Sequence, residues 1–393
     1  MSNWPPLSWQ EHTWTHRDPV ASRRSQQRNC GTFKAAIAPN IATLTPEIST
    51  ELAQEASENT QRMTRFDQEF STLAEFPFAV VLLRGESATS SQIENLTVRA
   101  RKLSLAALGG KVGGNAELVA RNVKAMRAAV SLSERVDTQA ILEMHRKLTE
   151  GSLPDAGEFR SEWVWIGGES PVTASYVAPD WESVPGAIED LVQFLQRTDI
   201  DPTVQAAIAH AQFETIHPFT DGNGRTGRAI VSALLRARGV TQNVTVPISS
   251  GLLHDIDEYI AALTVFRAGD VAPIVECFIQ ATESALANAR LLAGDIQRHF
   301  EEILASRRRV TDSARKIARF CSSEPAFTAG MLERDAGVPK ATAYRVVNEL
   351  VSAGILREES IKVEGQKVWS SPAMTHALDQ FAERAGRRRF GAS

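Results

Sequence analysis

Residues 216–231 read IHPFTDGNGRTGRAIV, and Gly222, Asn223 and Gly224 stand there between two stretches of helical texture, Thr203–Thr215 and Gly227–Arg238. Residues of this kind permit the backbone angles that turn successive N–H groups toward one point, forming an anion nest. The helix expected to begin near Arg225 adds the positive end of its dipole to that nest. A fold that contains this segment must therefore set two helices on either side of a polar, phosphate-sized turn.

The side chains of the turn sharpen that reading. Arg225 and Arg228 are three residues apart, so they share a helix face and can both fork onto phosphate oxygens. Asp221 suits a magnesium ion that bridges phosphates better than it suits a site that only collects anions. His217, four residues upstream, can take a proton near neutral pH. Taken singly, each has a plain alternative: a Gly-Asn-Gly turn caps a helix, and a lone histidine is structural. Their combination points to a polyphosphate, a metal and a general base in one place. The loop is not a Walker loop, because no GxxxxGK[ST] occurs, and no GxGxxG follows a strand.

The rest of the 393-residue chain is long enough for two or three domains. With 43% hydrophobic and 23% charged residues it has the balance of a soluble globular protein. Cys30, Cys277 and Cys321 lie far apart without a CxxC pair, which argues against a disulfide framework or a zinc site. The opening MSNWPPLSWQ has no basic stretch followed by an apolar one, and no apolar run has membrane length. A cytoplasmic protein without membrane contact is the expectation. The net charge of -4 is uneven, since residues 307–393 hold 16 Lys and Arg against 10 Asp and Glu.

Periodicity predicts a mainly α fold. Residues 1–35 read as an irregular arm whose Trp4, Trp9 and Trp14 dock on the main body. Helical patterns cover 45–69, 90–105, 115–151, 184–196, 203–215, 227–238, 255–268 and 271–298. Between 157 and 179, aromatic and β-branched residues flank Gly167 and Gly168, predicting a small hairpin or extended flap. Arg307, Arg308 and Arg309 mark a boundary. Beyond it, FTAGMLERDAGVPKATAYRVVNELVSAGILREES predicts a helix-turn-helix and IKVEGQKVWSS a wing. Ala336–Val338 would make its tight turn. Leu332, Ala336, Val346, Val347, Leu350, Ile355 and Leu356 would form its core, with Lys340, Thr342, Tyr344 and Arg345 outward.

The segment His217–Arg228 resembles the signature of the Fic family, HPFx[D/E]GNGRxxR, at every specified position. The neighbouring His210, Phe213 and Glu214, the flap at Val164–Gly168 and EYIAAL at Glu258–Leu263 have the family's texture as well. The resemblance covers roughly residues 35–290. It implies a Fic-type helical bundle in which the histidine matching His217 deprotonates a Tyr, Thr or Ser hydroxyl of a target protein. That hydroxyl attacks the α-phosphate of ATP. By the same resemblance Asp221 holds Mg, while Phe219, Thr220, Gly222, Asn223, Gly224, Arg225 and Arg228 form the nucleotide site. Tyr259 would contact adenine, and Trp163, Val164, Trp165 and Ile166 would position the target by strand pairing. Ile260 departs from the family, where a second aromatic often follows.

GESATSSQIENL contains Ser90, Glu94 and Asn95 in the arrangement [S/T]xxxE[G/N], which resembles the inhibitory helix of the family's N-terminal class. The resemblance implies that Ser90 steadies this helix and that Glu94 occupies Arg228. The expected domains are an arm (1–35), a helical region with the inhibitory helix at about 86–105 (36–110), and a catalytic core (111–300). A winged helix-turn-helix (307–372) and a basic tail (373–393) follow.

The leading reading is thus a self-inhibited adenylyltransferase using Mg-ATP, with a protein acceptor that includes the chain itself and a homodimer as a family habit. Two alternatives stand beside it: removal of AMP or transfer of another phosphate-linked group on the same fold, and an ATP-sensing regulator whose winged helix binds DNA.

Overall fold

The computed structural model describes residues 4–15, 28–71, 78–307 and 309–386. By internal contacts the chain divides into two compact units, each assembled from separated stretches. The first comprises residues 1–60, 128–239 and 257–279, the second residues 61–127, 240–256 and 280–393.

In the first unit, β1 (Ser8–Trp14) and β2 (Gly31–Ile37) pair antiparallel, Ser8 opposite Ile37 and Trp14 opposite Gly31. The expectation of an irregular arm is corrected here. Residues 8–14 are mostly polar and exposed, and they gain order by pairing with a second segment that is remote in sequence. Trp4 is docked, packed against Phe194 and Phe266. Helix α1 (Thr50–Ser71) begins in this unit. The long 115–151 pattern is two helices: α4 (Ala116–Ser131), of which only the end belongs to this unit, and α5 (Thr138–Thr149). Asp137 caps the second, its carboxylate accepting the Ala140 N–H at 2.9 Å.

The flap strands β3 (Trp165–Ile166) and β4 (Tyr176–Val177) pair antiparallel. Helix α6 (Val184–Leu195) leads to α7 (Pro202–Ile216) and α8 (Asn223–Ala237). Asp201 caps α7 by accepting from Thr203 N–H at 2.8 Å, and Pro202 sits in its first turn, where no donor is needed. From Thr203 to Ile216 every residue is buried, so α7 is a central helix without a wet face. Helix α10 (Ile256–Arg267) and the start of α11 (Ala272–Ala305) complete the unit.

The second unit contains α2 (Phe78–Ile93), α3 (Ala100–Ala107) and α9 (Ile248–His254), the last unanticipated by the sequence reading. The expected helix at 86–105 is corrected. FAVVLLR is the first two turns of α2 and not an approach to it, and the chain leaves the helix after Ile93. Asn95 takes a left-handed conformation at φ 59°, Asn95 N–H donates to Gln92 O at 3.0 Å, and Leu96 N–H to Ser91 O at 2.9 Å. That pattern is a Schellman stop. Ser90 is buried inside α2, whereas Glu94 lies in the turn beyond it, so the two do not share one helix.

Residues 312–386 continue this unit as α12 (Asp312–Cys321), β5 (Ala326–Thr328), α13 (Ala329–Ala336), α14 (Lys340–Ser352), β6 (Arg357–Val363), β7 (Gln366–Ser370) and α15 (Pro372–Gly386). The sheet order is β5-β7-β6, antiparallel throughout. Gly337 ends α13 at φ 63°, and Glu364-Gly365, both at positive φ, turn β6 into β7. Leu332, Val346, Val347, Leu350 and Leu356 are buried in its core with Phe327 and Trp369; Ala336 and Ile355 are partly buried. Tyr344 is not outward: its ring packs edge-on to Trp369 at 5.4 Å. The expected basic tail is also corrected, because residues 372–386 form α15; residues 387–393 lie outside the described residues.

Candidate active site

The turn between α7 and α8 gathers the residues that the sequence singled out. His217 ends α7 in a left-handed conformation, φ 50° and ψ 60°, with its N–H donating to Phe213 O at 2.9 Å. Its side chain is 20% exposed. Nδ1 lies 3.4 Å from Glu214 O and 3.8 Å from Glu214 Oε2. Two acceptors on that side favour the proton on Nδ1, which leaves Nε2 with the lone pair a base needs.

Phe219 is the loop's anchor. Its N–H donates to Asn223 Oδ1 at 2.9 Å, and Asn223 Nδ2 donates to Phe219 O at 2.9 Å, closing the loop on itself. Its ring lies flat on the His145 imidazole, centroids 3.7 Å apart. Gly222 begins α8 at φ 83°, and a Cβ there would stand 3.0 Å from Leu148 Cδ2, so both the angle and the space call for glycine. Asn223, Gly224 and Arg225 then form the first helical turn, whose amides have no acceptor within the helix.

Asp221 is the exposed member of the set, 66% open. One oxygen accepts Gly222 N–H at 2.7 Å and the other faces Arg225 Nη2 at 3.4 Å. Thr220 donates its hydroxyl to Asp155 Oδ2 at 2.8 Å. Arg225 and Arg228 are both buried to within a few per cent, on the inner face of α8. No cluster of three or more metal-ligand side chains exists among the described residues. A magnesium ion beside Asp221 would take its remaining oxygens from phosphates and water, which is its habit.

Tyr259 is placed differently from the expectation. It is 3% exposed, and its hydroxyl lies 2.7 Å from His210 Nε2 in the core. The next residue, Ile260, is 54% exposed. With Leu263, Thr264, Ile166 and Tyr176 it lines a groove of about 690 Å³ that Glu214 also borders. The groove therefore presents Ile260 and Leu263, not the ring of Tyr259. The helical phase of α10 decides this, since neighbouring residues point about 100° apart.

Four residues that hold the site escaped the sequence reading. His145 lies on α5, where Ile141, Met144 and Leu148 mark the buried face, and its position on that face was the available signal. Gly157 N–H donates to its Nδ1 at 3.0 Å, so Nε2 carries the proton and donates to Asp221 O at 3.0 Å. Burial pulls its pKa down to about 4, and the ring stays neutral. Arg160 binds backbone only: Nε to His217 O at 2.9 Å, Nη1 to Glu162 O at 3.0 Å, and Nη2 to Pro179 O at 2.5 Å. Burial brings its pKa down to about 10, still charged at neutral pH. Tyr176 donates its hydroxyl to Thr215 O at 2.5 Å, and burial pushes its pKa up to about 12. Arg267 stacks over the Tyr176 ring at 3.7 Å and donates to Glu214 O at 3.2 Å. No sequence pattern marks Arg160, Tyr176 or Arg267, because each acts through a partner distant in the chain. His210, buried against Tyr259, is drawn down to about 3 first by burial and then by the charge of Arg228.

Residues 135–235 match the Fic/DOC family. Protein adenylyltransferase fic-1 of Caenorhabditis elegans is 32% identical to this chain over 157 residues, 39% of the chain and 28% of that protein. Protein adenylyltransferase Fic of Drosophila melanogaster is 24% identical over 261 residues, 64% of this chain and 48% of that protein. The chain thus spans less than half the length of these relatives. A Fic family protein from Desulfovibrio desulfuricans G20 has a similar fold, with a TM-score of 0.55 at 22% identity over 84% of this chain and 98% of that one. No helix among the described residues is long and apolar enough to cross a membrane.

Proposed function

We propose that the chain is a protein adenylyltransferase that moves AMP from Mg-ATP to a hydroxyl of a Tyr, Thr or Ser side chain. The observation that carries this reading is the juxtaposition of an imidazole with an ordered helix N-terminus and two buried guanidinium groups. The named relatives are protein adenylyltransferases, which agrees with it.

In this mechanism the amides at the start of α8 and the forks of Arg225 and Arg228 hold the phosphates and offset their charge. Magnesium, held by Asp221, would neutralise phosphate oxygens. His217 Nε2 takes the proton of the acceptor hydroxyl, whose oxygen bonds to the α-phosphorus as the bond to the bridging oxygen breaks. Pyrophosphate leaves with those electrons. Arg160 and Tyr176 act on the backbone that sets the imidazole, while Glu214 orients it through Nδ1. The open edge of β3 would take the acceptor segment as an added strand, fixing a hydroxyl while reading little sequence.

Two regulatory parts belong to the proposal. Glu94 would act as a brake by occupying Arg228, supported by its [S/T]xxxE[G/N] setting at the end of α2. The element order from α12 to β7 supports a winged helix-turn-helix, with DNA or protein as its partner. Incubation with α-labelled ATP and Mg tests the enzyme directly. Wild type or Glu94→Gly should acquire label, more in the variant, and His217→Ala should lose it while still binding ATP. Labelling by His217→Ala would remove the assigned base. Release of AMP from a modified protein, with no label gained, would favour the reverse reaction.

A further inference from the structure

The flap strands are two residues each, too short to keep their shape in water unaided. Strand β4 has its own ties to the base of the site, because Tyr176 donates to Thr215 O and Arg160 reaches Pro179 O. Strand β3 and the turn after it are held by another element, the N-terminal strand pair. Trp165 packs edge-on to Trp14 at 5.8 Å. Trp163 packs edge-on to His12 at 4.7 Å and to Phe33 at 5.2 Å. At the turn, the Glu169 carboxylate accepts from Arg28 Nη2 and Asn29 Nδ2, each at 2.8 Å. Phe33, Ala35 and Val177 form one buried cluster with these rings around it.

We propose that the β1–β2 pair is a buttress that positions the acceptor: it holds β3 so that its outer edge stays presented to the protein segment carrying the hydroxyl. Trp14, Phe33 and the Arg28–Asn29 clamp on Glu169 are the positioning residues. This rests on the reading of the chain as a protein adenylyltransferase. Among the described residues the flap sheet has two strands only, so β3 has one edge without a strand neighbour, and Ile166 on it is 41% exposed. An edge pairs productively only when its register and direction are fixed, since a slip of one residue turns every side chain over. The aromatic contacts fix both. None of the contacts named includes a residue of the phosphate loop, so the buttress acts on the acceptor through β3.

The test uses the full chain with Glu94→Gly as parent and variants Trp14→Ala, Trp14→Phe and, as a surface change with little folding risk, Asn29→Ala. The added acceptor is an excess of the same chain carrying His217→Asn, and α-labelled ATP is the donor. Three quantities are read: label on the acceptor, the Mg-ATP concentration for half-saturation, and hydrogen exchange at the Ser175 and Ala178 amides, which donate across the flap at 3.0 and 3.1 Å. Trp14→Ala should lower acceptor labelling roughly ten- to a hundredfold, the scale of a misplaced reactant. It should raise the acceptor KM, leave ATP half-saturation unchanged and speed exchange in the flap. Trp14→Phe should recover most of the labelling, and Asn29→Ala should shift all three readings in the same direction by less. Unchanged exchange, or loosened exchange with undiminished labelling, overturns the proposal. So does a parallel loss of labelling and ATP affinity, which would mark a merely structural contact. A parent that labels nothing overturns the transfer reading instead, and flap exchange then decides the buttress alone.

Discussion

His145 is the residue whose chemistry is most at odds with its surroundings, a titratable ring held between a backbone donor and the Phe219 face. Its native pKa of about 4 lies below the ordinary 6.5, so the unfolded chain binds its proton first as pH falls. Its contribution is complete above about pH 6.5 and is lost between there and about pH 4, by on the order of 2–3 kcal/mol. His210, also depressed, adds to the same window. Melting curves from pH 4 to 7 should show a shallower decline for His145→Asn than for wild type; equal slopes would assign the titration elsewhere. Arg160 gives a second prediction. Arg160→Lys cannot rescue what Arg160→Met loses, because one ammonium cannot span carbonyls on both the loop and the flap. Both variants should melt lower, the methionine by about 2–3 kcal/mol for the buried carbonyls left unmatched, and both should slow labelling. A lysine variant with wild-type melting would show that charge alone suffices.

Helices α7 and α8 approach closely at Gly227. A Cβ there would lie 3.0 Å from Phe213 Cδ1, 3.1 Å from His210 Nδ1 and 3.2 Å from Glu214 Oε1. Alanine favours an exposed helix by about 1 kcal/mol over glycine, but overpacking costs about 1–3 kcal/mol, so Gly227→Ala should destabilise. A raised melting temperature would mean that the two helices separate freely. Element types were legible wherever periodicity is local. The loop HPFTDGNGRTGR identifies its own geometry because its glycines and its loop-closing Asn223 act within five residues. The N-terminal strands were not legible, since β1 is mostly exposed and acquires order from β2, 17 residues further on. The end of α2 was misread for a related reason. Its stop is written in the conformation of a single residue, Asn95. Tyr259 shows the limit for sites: its place in EYIAAL was plain, but whether it or Ile260 faces the groove depends on helical phase.

At the scale of the whole chain, each compact unit is built from three separated stretches. No window of sequence could have announced that. The charge of the C-terminal region is a similar case. Residues 307–393 carry more cations than anions, yet on and around α14 the cations have acidic neighbours: Lys340 and Glu333 at 3.3 Å, Arg345 and Glu349 at 3.1 Å, and Lys367 and Glu358 at 2.8 Å. Duplex DNA would have to displace these carboxylates. The slope of log affinity against log salt for a random duplex should therefore be shallow, corresponding to fewer than about three phosphates neutralised. A slope of five or more in anisotropy titrations would reverse this and favour DNA over protein as the partner.

The left-handed backbone at His217 has a practical consequence for anyone who silences the proposed activity by mutation. Side chains tolerate that geometry unequally: asparagine and glycine adopt it with ease, alanine less so, valine and isoleucine hardly at all. In a saturation library at position 217, abundance should follow that ranking while labelling vanishes in every member. Asparagine is then the substitution that subtracts the chemistry and leaves the chain's path intact.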